Sequence, residues 1–237
     1  MVYSINWRDT QPKIAHMSAV HWGGLRSVER DSDDERDCLQ RLGGFARHAL
    51  QGRKTSDYHR HENLEQVYYI LSGSGEILFD DKRYPTQAGD AIYLPTGIHH
   101  QMFNEGEDWL EHHVISMPVK GEGGQFVVRN WRHAAPQGDG AGAVRWRQLG
   151  PQGEGEGGHL RGLAFIDRET VQPGGQTVER SEDVEQVYYI LENQGVLITD
   201  GEQRAITEGD MIHVPVGQSY RIENPHQAWL IYMIMAA

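Results

Sequence analysis

Glu65-Gln-Val-Tyr-Tyr-Ile-Leu71 recurs without change as Glu185-Gln-Val-Tyr-Tyr-Ile-Leu191, 120 residues later. A heptapeptide kept identical at that distance marks an internal duplication, and the flanking residues extend it. The same offset carries Gly75 onto Gly195, Gly89-Asp90 onto Gly209-Asp210, Pro95 onto Pro215, Gly97 onto Gly217 and Asn104 onto Asn224, with no gap. Upstream the offset is 124: Asn6-Trp7-Arg8 and Pro12 reappear as Asn130-Trp131-Arg132 and Pro136, and Val20 and Trp22 as Val144 and Trp146. The second copy is therefore four residues shorter between Trp146 and Phe165 than the first between Trp22 and Phe45. The surplus is assigned to DSDDERD at residues 31–37, read as a solvated loop or short helix. Two units follow, 1–119 and 126–237, with the Gly-containing residues 118–124 as linker.

Within the first unit, residues 66–71, 76–79, 91–94 and 110–116 are rich in β-branched and aromatic side chains, and Gly, Asp and Asn separate them. Helical periodicity is almost absent. Short strands at this spacing predict a sandwich or small barrel, and barrel closure removes exposed strand edges. The fold class is all-β, two similar barrels in tandem. Composition narrows the function. With 22 Lys+Arg against 34 Asp+Glu the net charge is −12, and the basic residues are scattered, which argues against a nucleic-acid partner. The single cysteine, Cys38, forms no internal disulfide, and the start MVYSINWRDT lacks the flank and apolar core of a signal peptide. Its longest apolar run, residues 230–237, falls short of the roughly 18 residues of a spanning helix. The expectation is a cytoplasmic protein with no membrane partner.

His59-Arg60-His61, then Glu65, Gln66 and Gly73, resembles the first motif of the cupin superfamily, with the leading glycine one place off at Gly52. Gly89, Pro95, Gly97, His100 and Asn104 match that superfamily's second motif without a break. The chain as a whole is similar to a bicupin. The resemblance implies tandem jelly-roll barrels, with one divalent transition metal held by His59, His61, an acidic or amide residue and His100. The spacing to Gly73 favours Gln66 as that residue, with Glu65 as the alternative.

The residues support the same chemistry. Alternate side chains of a strand share a face, so His59 and His61 present two imidazoles to one side, and imidazole suits Mn, Fe, Ni and Zn alike. In the second copy the aligned residues are Glu179, Ser181 and Tyr220, so that barrel is read as metal-free and structural. Three imidazoles and an amide form a neutral set that leaves a divalent ion its full charge. That favours Lewis-acid chemistry on a small oxygen-rich substrate. Cupins with such a set include lyase and isomerase types, which is what the resemblance lends. An iron-dependent dioxygenase is the alternative, and a non-catalytic small-molecule or metal-binding bicupin a further one. For proton transfer, alternation from Gln66 places Tyr68 inward, and the polar triplet 111–113 offers Glu111 and His113. His99 is expected to point away, and His21 and His48 to be surface or satisfied core histidines. The apolar run 187–191 needs cover on both faces, which with the resemblance suggests a homodimer.

Overall fold

The computed structural model describes residues 1–26 and 34–237. Of the charged run, residues 31–33 lie outside the described residues, while Asp34 to Arg36 form a turn closed by the Arg36–Asp34 ion pair.

The expected strands are present, extended at their ends to Leu64–Ser72, Ser74–Phe79, Asp90–Leu94 and Leu110–Pro118. In the first barrel a seven-stranded sheet runs in the order Val127–Asn130, Asp90–Leu94, Leu64–Ser72, Leu110–Pro118, Gly44–Leu50, Ala19–Gly23, Lys13–Ala15. A four-stranded sheet, Lys54–Thr55, His100–Asn104, Ser74–Phe79 and Lys82–Gln87, packs on it. Leu50, Tyr68, Ile70, Ile92 and Leu110 from the large sheet meet Ile77 and Met102 from the small one in a buried core. Each such side chain taken from water contributes about 1.5–3 kcal/mol. The second barrel repeats the plan, with Tyr188, Ile190, Ile212 and Tyr232 facing Leu197, Ile206 and Ile222.

The barrels do not divide where the copies divide. Tyr3–Asn6 pairs antiparallel with Asp210–Val214 of the second barrel, and Val127–Asn130 pairs with Asp90–Leu94 of the first. Each copy thus lends its first strand to the other's sheet, so a cut near residues 119–126 separates the repeats but not the sheets.

A third core lies between the barrels, where Val67, Tyr69, Tyr93 and Ile115 cluster with Val187, Tyr189, Met211, Met233 and Met235. The run 187–191 is therefore covered on both faces within one chain. The cover that the sequence reading assigned to a second copy is supplied by the first barrel.

Two carboxylates clamp this interface in mirrored fashion. Glu65, with no exposed surface, accepts hydrogen bonds from the backbone N–H groups of Arg161 (2.9 Å), Gly162 (2.8 Å) and Leu163 (2.7 Å) and from the Tyr93 hydroxyl. Glu185 accepts from the N–H groups of Gln40 (2.5 Å), Arg41 (2.8 Å) and Leu42 (2.8 Å) and contacts His213 Nε2 at 2.9 Å. Burial pushes the Glu185 carboxyl up, but His213 and the three N–H groups outweigh it and hold the pKa below the ordinary value.

Strand pairing also refines the repeat alignment. Ile115 lies opposite Phe45, but its counterpart Met235 lies opposite Ile166, one residue out of step with the 120-residue offset. In structural register His48 corresponds to Glu169 and His21 to Arg145.

Candidate metal centre

Three backbone features bring the histidines together. His59 and His100 form an antiparallel bridge with N–H to carbonyl distances of 3.2 and 2.8 Å, so their rings stand side by side, 4.5 Å between centroids. His61, two residues on, shares the face of His59. The turn leading to His100 passes through Gly97 at φ 86°, a left-handed conformation that glycine adopts without steric cost, and its N–H donates to the His61 carbonyl at 2.8 Å. One ring nitrogen from each of His59, His61 and His100 lies within 4.8 Å of the others.

The donor atoms carry the stronger signal. Nε2 of His59, His61 and His100 and Oε1 of Gln66 are all buried without a hydrogen-bond partner among the described residues. A buried polar atom without a partner costs about 1–3 kcal/mol, so three on one cluster, with a fourth on the interior of the same barrel, fit a bound cation far better than an apolar pocket. The opposite nitrogens are engaged: His59 Nδ1 is 3.1 Å from the Asp57 carbonyl, and His100 Nδ1 is 3.3 Å from the Ile98 carbonyl. A carbonyl only accepts, so each Nδ1 carries the proton and each Nε2 presents its lone pair, the tautomer a metal ligand requires. Burial, reinforced by the His59 imidazole, lowers the His100 pKa to about 3, so this ring is neutral at physiological pH. Of the two candidates for the fourth donor, Gln66 shares the interior face of its strand with Tyr68 and keeps a buried, unpartnered Oε1, whereas Glu65 points to the barrel interface as its clamp.

Beside the cluster a small cavity is walled by His16, Ala19, His48, Leu50, Ser56, His59, Tyr68, Met102 and His112. Tyr68 faces it as expected, its ring 6.0 Å from His100 and 5.1 Å from His112, and burial raises its phenol pKa well above the ordinary value. The other two expected proton-transfer residues do not reach it. Glu111 accepts hydrogen bonds from Arg47 (2.6 Å) and Ser72 (2.9 Å), and His113 sits between Phe45 and Tyr189 in the inter-barrel core. His112, assigned to the other face, is the residue that lines the cavity, and its Nδ1 is a further buried atom without a partner. The inward set is Leu110, His112 and Val114, which pack with the first barrel's core. Because the second barrel covers the outer sheet face, polarity did not distinguish the two sides.

Sequence reasoning did not weigh His16, and it read His21 and His48 as surface or satisfied core histidines, which their mutual contact fits. His21 Nδ1 lies 2.7 Å from His48 Nε2, and His16 stacks on His59 at 4.8 Å. In structural register the His21–His48 pair occupies the positions of the Arg145–Glu169 ion pair (2.6 Å), an exchange that the 120-residue offset hides by setting His48 against Arg168. His99 does point away, stacked on exposed Tyr58.

The second barrel fills the matching space with hydroxyls. The Tyr220 hydroxyl donates to Gln186 Oε1 at 2.6 Å and lies 2.5 Å from the Tyr188 hydroxyl, while Tyr232 bonds Glu169. Glu179 instead accepts from Ser219, and Ser181 donates to the Gly217 carbonyl. Replacing Glu179, Ser181 and Tyr220 by Ala is expected to leave metal content unchanged while lowering stability. Lost metal on elemental analysis would contradict this assignment.

Burial also fixes a pH dependence. The pKa of His112 is lowered to about 3 by burial, and those of His48 and His113 lie well below the ordinary 6.5 for the same reason. In the metal-free protein the unfolded state takes up these protons below pH 6.5 and the folded state refuses them. Stability is therefore full above about pH 6.5 and falls as pH drops, by up to about 1.4 kcal/mol per pH unit for each histidine. Urea midpoints should decline steadily from pH 7 to pH 5. A flat profile across that range would show these rings titrating in the fold.

Two closed jelly-roll barrels in one chain, one with a histidine cluster at its centre, define a bicupin. The chain belongs to the Cupin domain family, which it matches twice, over residues 47–116 and 167–235. It is 36% identical over 67 residues to the oxalate-binding protein of Thermotoga maritima, a match covering 28% of this chain and 55% of that protein. The chain spans about half the length of the curated relatives it matches. Among solved structures, the nickel complex of the pirin YhhW from Escherichia coli superposes at a TM-score of 0.76 with 14% identity, covering 100% of this chain and 98% of that one. Oxalate decarboxylase of Lactobacillus farciminis, solved with formate, gives 0.76 at 11% identity, covering 98% and 85%. At these identities the likeness to solved structures is one of fold. No helix among the described residues is long and apolar enough to cross a membrane.

Proposed function

We propose that this chain is a metal-dependent bicupin enzyme in which one divalent ion, held by His59, His61, His100 and Gln66, serves as a Lewis acid toward a small oxygen-rich substrate in a lyase- or isomerase-type reaction. One observation carries the reading: the Nε2 atoms of three clustered histidines are buried without partners in the first barrel, with Gln66 Oε1 a fourth such atom on the interior face, whereas in the second barrel the Tyr220 hydroxyl satisfies Gln186 Oε1. When bound, such an ion polarises a carbonyl or hydroxyl oxygen, and a neutral ligand set leaves its charge undiminished. The chain's own residues supply the proton chemistry. Tyr68, kept protonated by burial, donates a hydrogen bond into the cavity. His112, kept neutral by burial, turns an unpartnered Nδ1 toward the same cavity, where it can hydrogen-bond a ligand. Glu111 and His113 have no part in this scheme.

The test is a screen of the protein loaded separately with Mn, Fe, Ni and Zn against small dicarboxylates, hydroxyacids, sugar acids and diketones. Turnover without oxygen uptake is the expected result. Turnover that requires ferrous iron and dioxygen would replace this reading with a dioxygenase. Gln66→Glu should keep the metal and lower the rate by about tenfold, because a negative ligand weakens the ion's pull on its substrate by little more than 1 kcal/mol. A second reading, a non-catalytic carboxylate binder, draws on the resemblance to the Thermotoga maritima oxalate-binding protein. Calorimetric binding of oxalate with no turnover under any metal would favour it.

A further inference from the structure

The cavity beside the cluster has a volume of about 10 Å³, the room a single water needs, and the Nε2 atoms of His59, His61 and His100 and Oε1 of Gln66 are shut off from solvent. An organic substrate enters only if a wall moves. Most of the walls are fixed. His48, Leu50, Tyr68, Met102 and His112 lie on strands of the barrel, and Ser56 is fastened by its N–H to the Met102 carbonyl (2.9 Å) and its hydroxyl to the Met102 N–H (3.0 Å). His59 is held by its backbone bridge to His100, and the last two walls, His16 and Ala19, belong to the hairpin formed by Lys13–Ala15 and Ala19–Gly23.

This hairpin is lightly held and locally strained. Lys13–Ala15 is the last strand of its sheet and is joined to its neighbour through three residue pairs. Its tip is the three-residue loop His16-Met17-Ser18, in which His16 and Met17 have φ values of 49° and 69°, left-handed conformations that asparagine and glycine adopt at least cost. In the metal-free barrel the aligned hairpin places Gly140 at the position of His16, with φ 80°, and pins its tip through Asp139 to the N–H groups of Ala141, Gly142 and Ala143. The first barrel has given up the glycine and accepted the strain, and in return His16 reaches the cavity and stacks on His59. Two side-chain contacts tie the tip down: His16 Nδ1 with Asp57 Oδ1 at 2.9 Å, and the Ser18 hydroxyl to the Thr55 carbonyl at 2.7 Å. Ile14 and Met17 project into solvent, 68% and 72% exposed, so nothing covers the hairpin from outside.

We propose that the 13–19 hairpin is the gate of the metal pocket, latched by the His16–Asp57 and Ser18–Thr55 hydrogen bonds, and that its tip folds outward to admit a ligand of small-carboxylate size. The role as a substrate gate rests on the metal-site reading above. The motion itself can be measured without metal. Met102 lines the cavity and is 2% exposed. In the metal-free Met102→Cys protein, the rate at which a small methanethiosulfonate modifies that residue, followed by peptide mass spectrometry to separate it from Cys38, reports opening. Adding His16→Asn and Ser18→Ala, which release both latches while asparagine still suits the left-handed turn, should raise that rate at least tenfold with the urea midpoint nearly unchanged. The exposed-face variant Ile14→Ser should leave it unchanged. Equal rates with and without the latches, or labelling that follows global unfolding in urea, would overturn the gate. Ala19→Cys is a second reporter on the same cavity should Met102→Cys fail to fold. Metal analysis of the parent protein judges the metal site separately, so either idea can fall alone.

Discussion

His100→Ala should reduce the metal content of the purified protein from about one ion per chain to nearly none, with the fold intact. His100 is held in the barrel by two backbone hydrogen bonds to His59 that do not involve its ring. Removing the imidazole therefore takes away a donor without loosening the strands. Loss of groups that merely support a metal ligand costs about 10–100-fold in affinity, so loss of a ligand should exceed about 100-fold. His61→Ala should behave alike, and His113→Phe, in the inter-barrel core, should retain the metal. Elemental analysis after dialysis decides this, and full retention in both ligand variants would refute the assignment.

Glu185→Ala is expected to give the largest loss of stability. The carboxylate is fully buried, and its removal leaves the N–H groups of residues 40–42 and the ring of His213 facing an apolar void. Breaking one side of such a buried, charge-assisted set costs about 3–5 kcal/mol. Glu185→Gln preserves the shape and one acceptor oxygen, so about 1–3 kcal/mol should be lost instead. By the mirrored geometry Glu65→Ala should match Glu185→Ala, and its metal content should stay at wild-type level because Glu65 points away from the cluster. A urea titration that shows less than about 1 kcal/mol for both alanine variants would mean that the clamps are ornamental to folding.

The clamps also explain which parts of the molecule were legible in the sequence. The repeated Glu-Gln-Val-Tyr-Tyr-Ile-Leu contains two jobs in adjacent residues. Glu65 and Glu185 serve the barrel interface, a role both copies need, so the glutamate persists where the histidines are gone. Gln66 and Gln186 face inward, Gln66 on the side of the strand that carries Tyr68 and Gln186 bonded by Tyr220. Spacing to Gly73 favoured Gln66, and the strand separates the two because it turns adjacent residues to opposite sides. The same rule failed at 111–113. There both faces are buried, one by the barrel interior and one by the neighbouring barrel, so alternation of polar and apolar residues no longer marks the inside. The exchanged first strands were hidden for a different reason. Nothing in Tyr3–Asn6 distinguishes pairing with Asp90–Leu94 from pairing with the equivalent Asp210–Val214, since duplication made the two edges alike. His16 was invisible because its importance lies in a turn conformation that its residue type disfavours.

X-ray absorption at the K-edge of the ion that purifies with the protein tests the central claim most directly. The account predicts one ion per chain whose nearest neighbours are nitrogen and oxygen only, with scattering from three imidazole rings, supplied by His59, His61 and His100. An ion with fewer than three imidazoles around it, two ions per chain, or a protein that takes up no transition ion under any loading condition would contradict it.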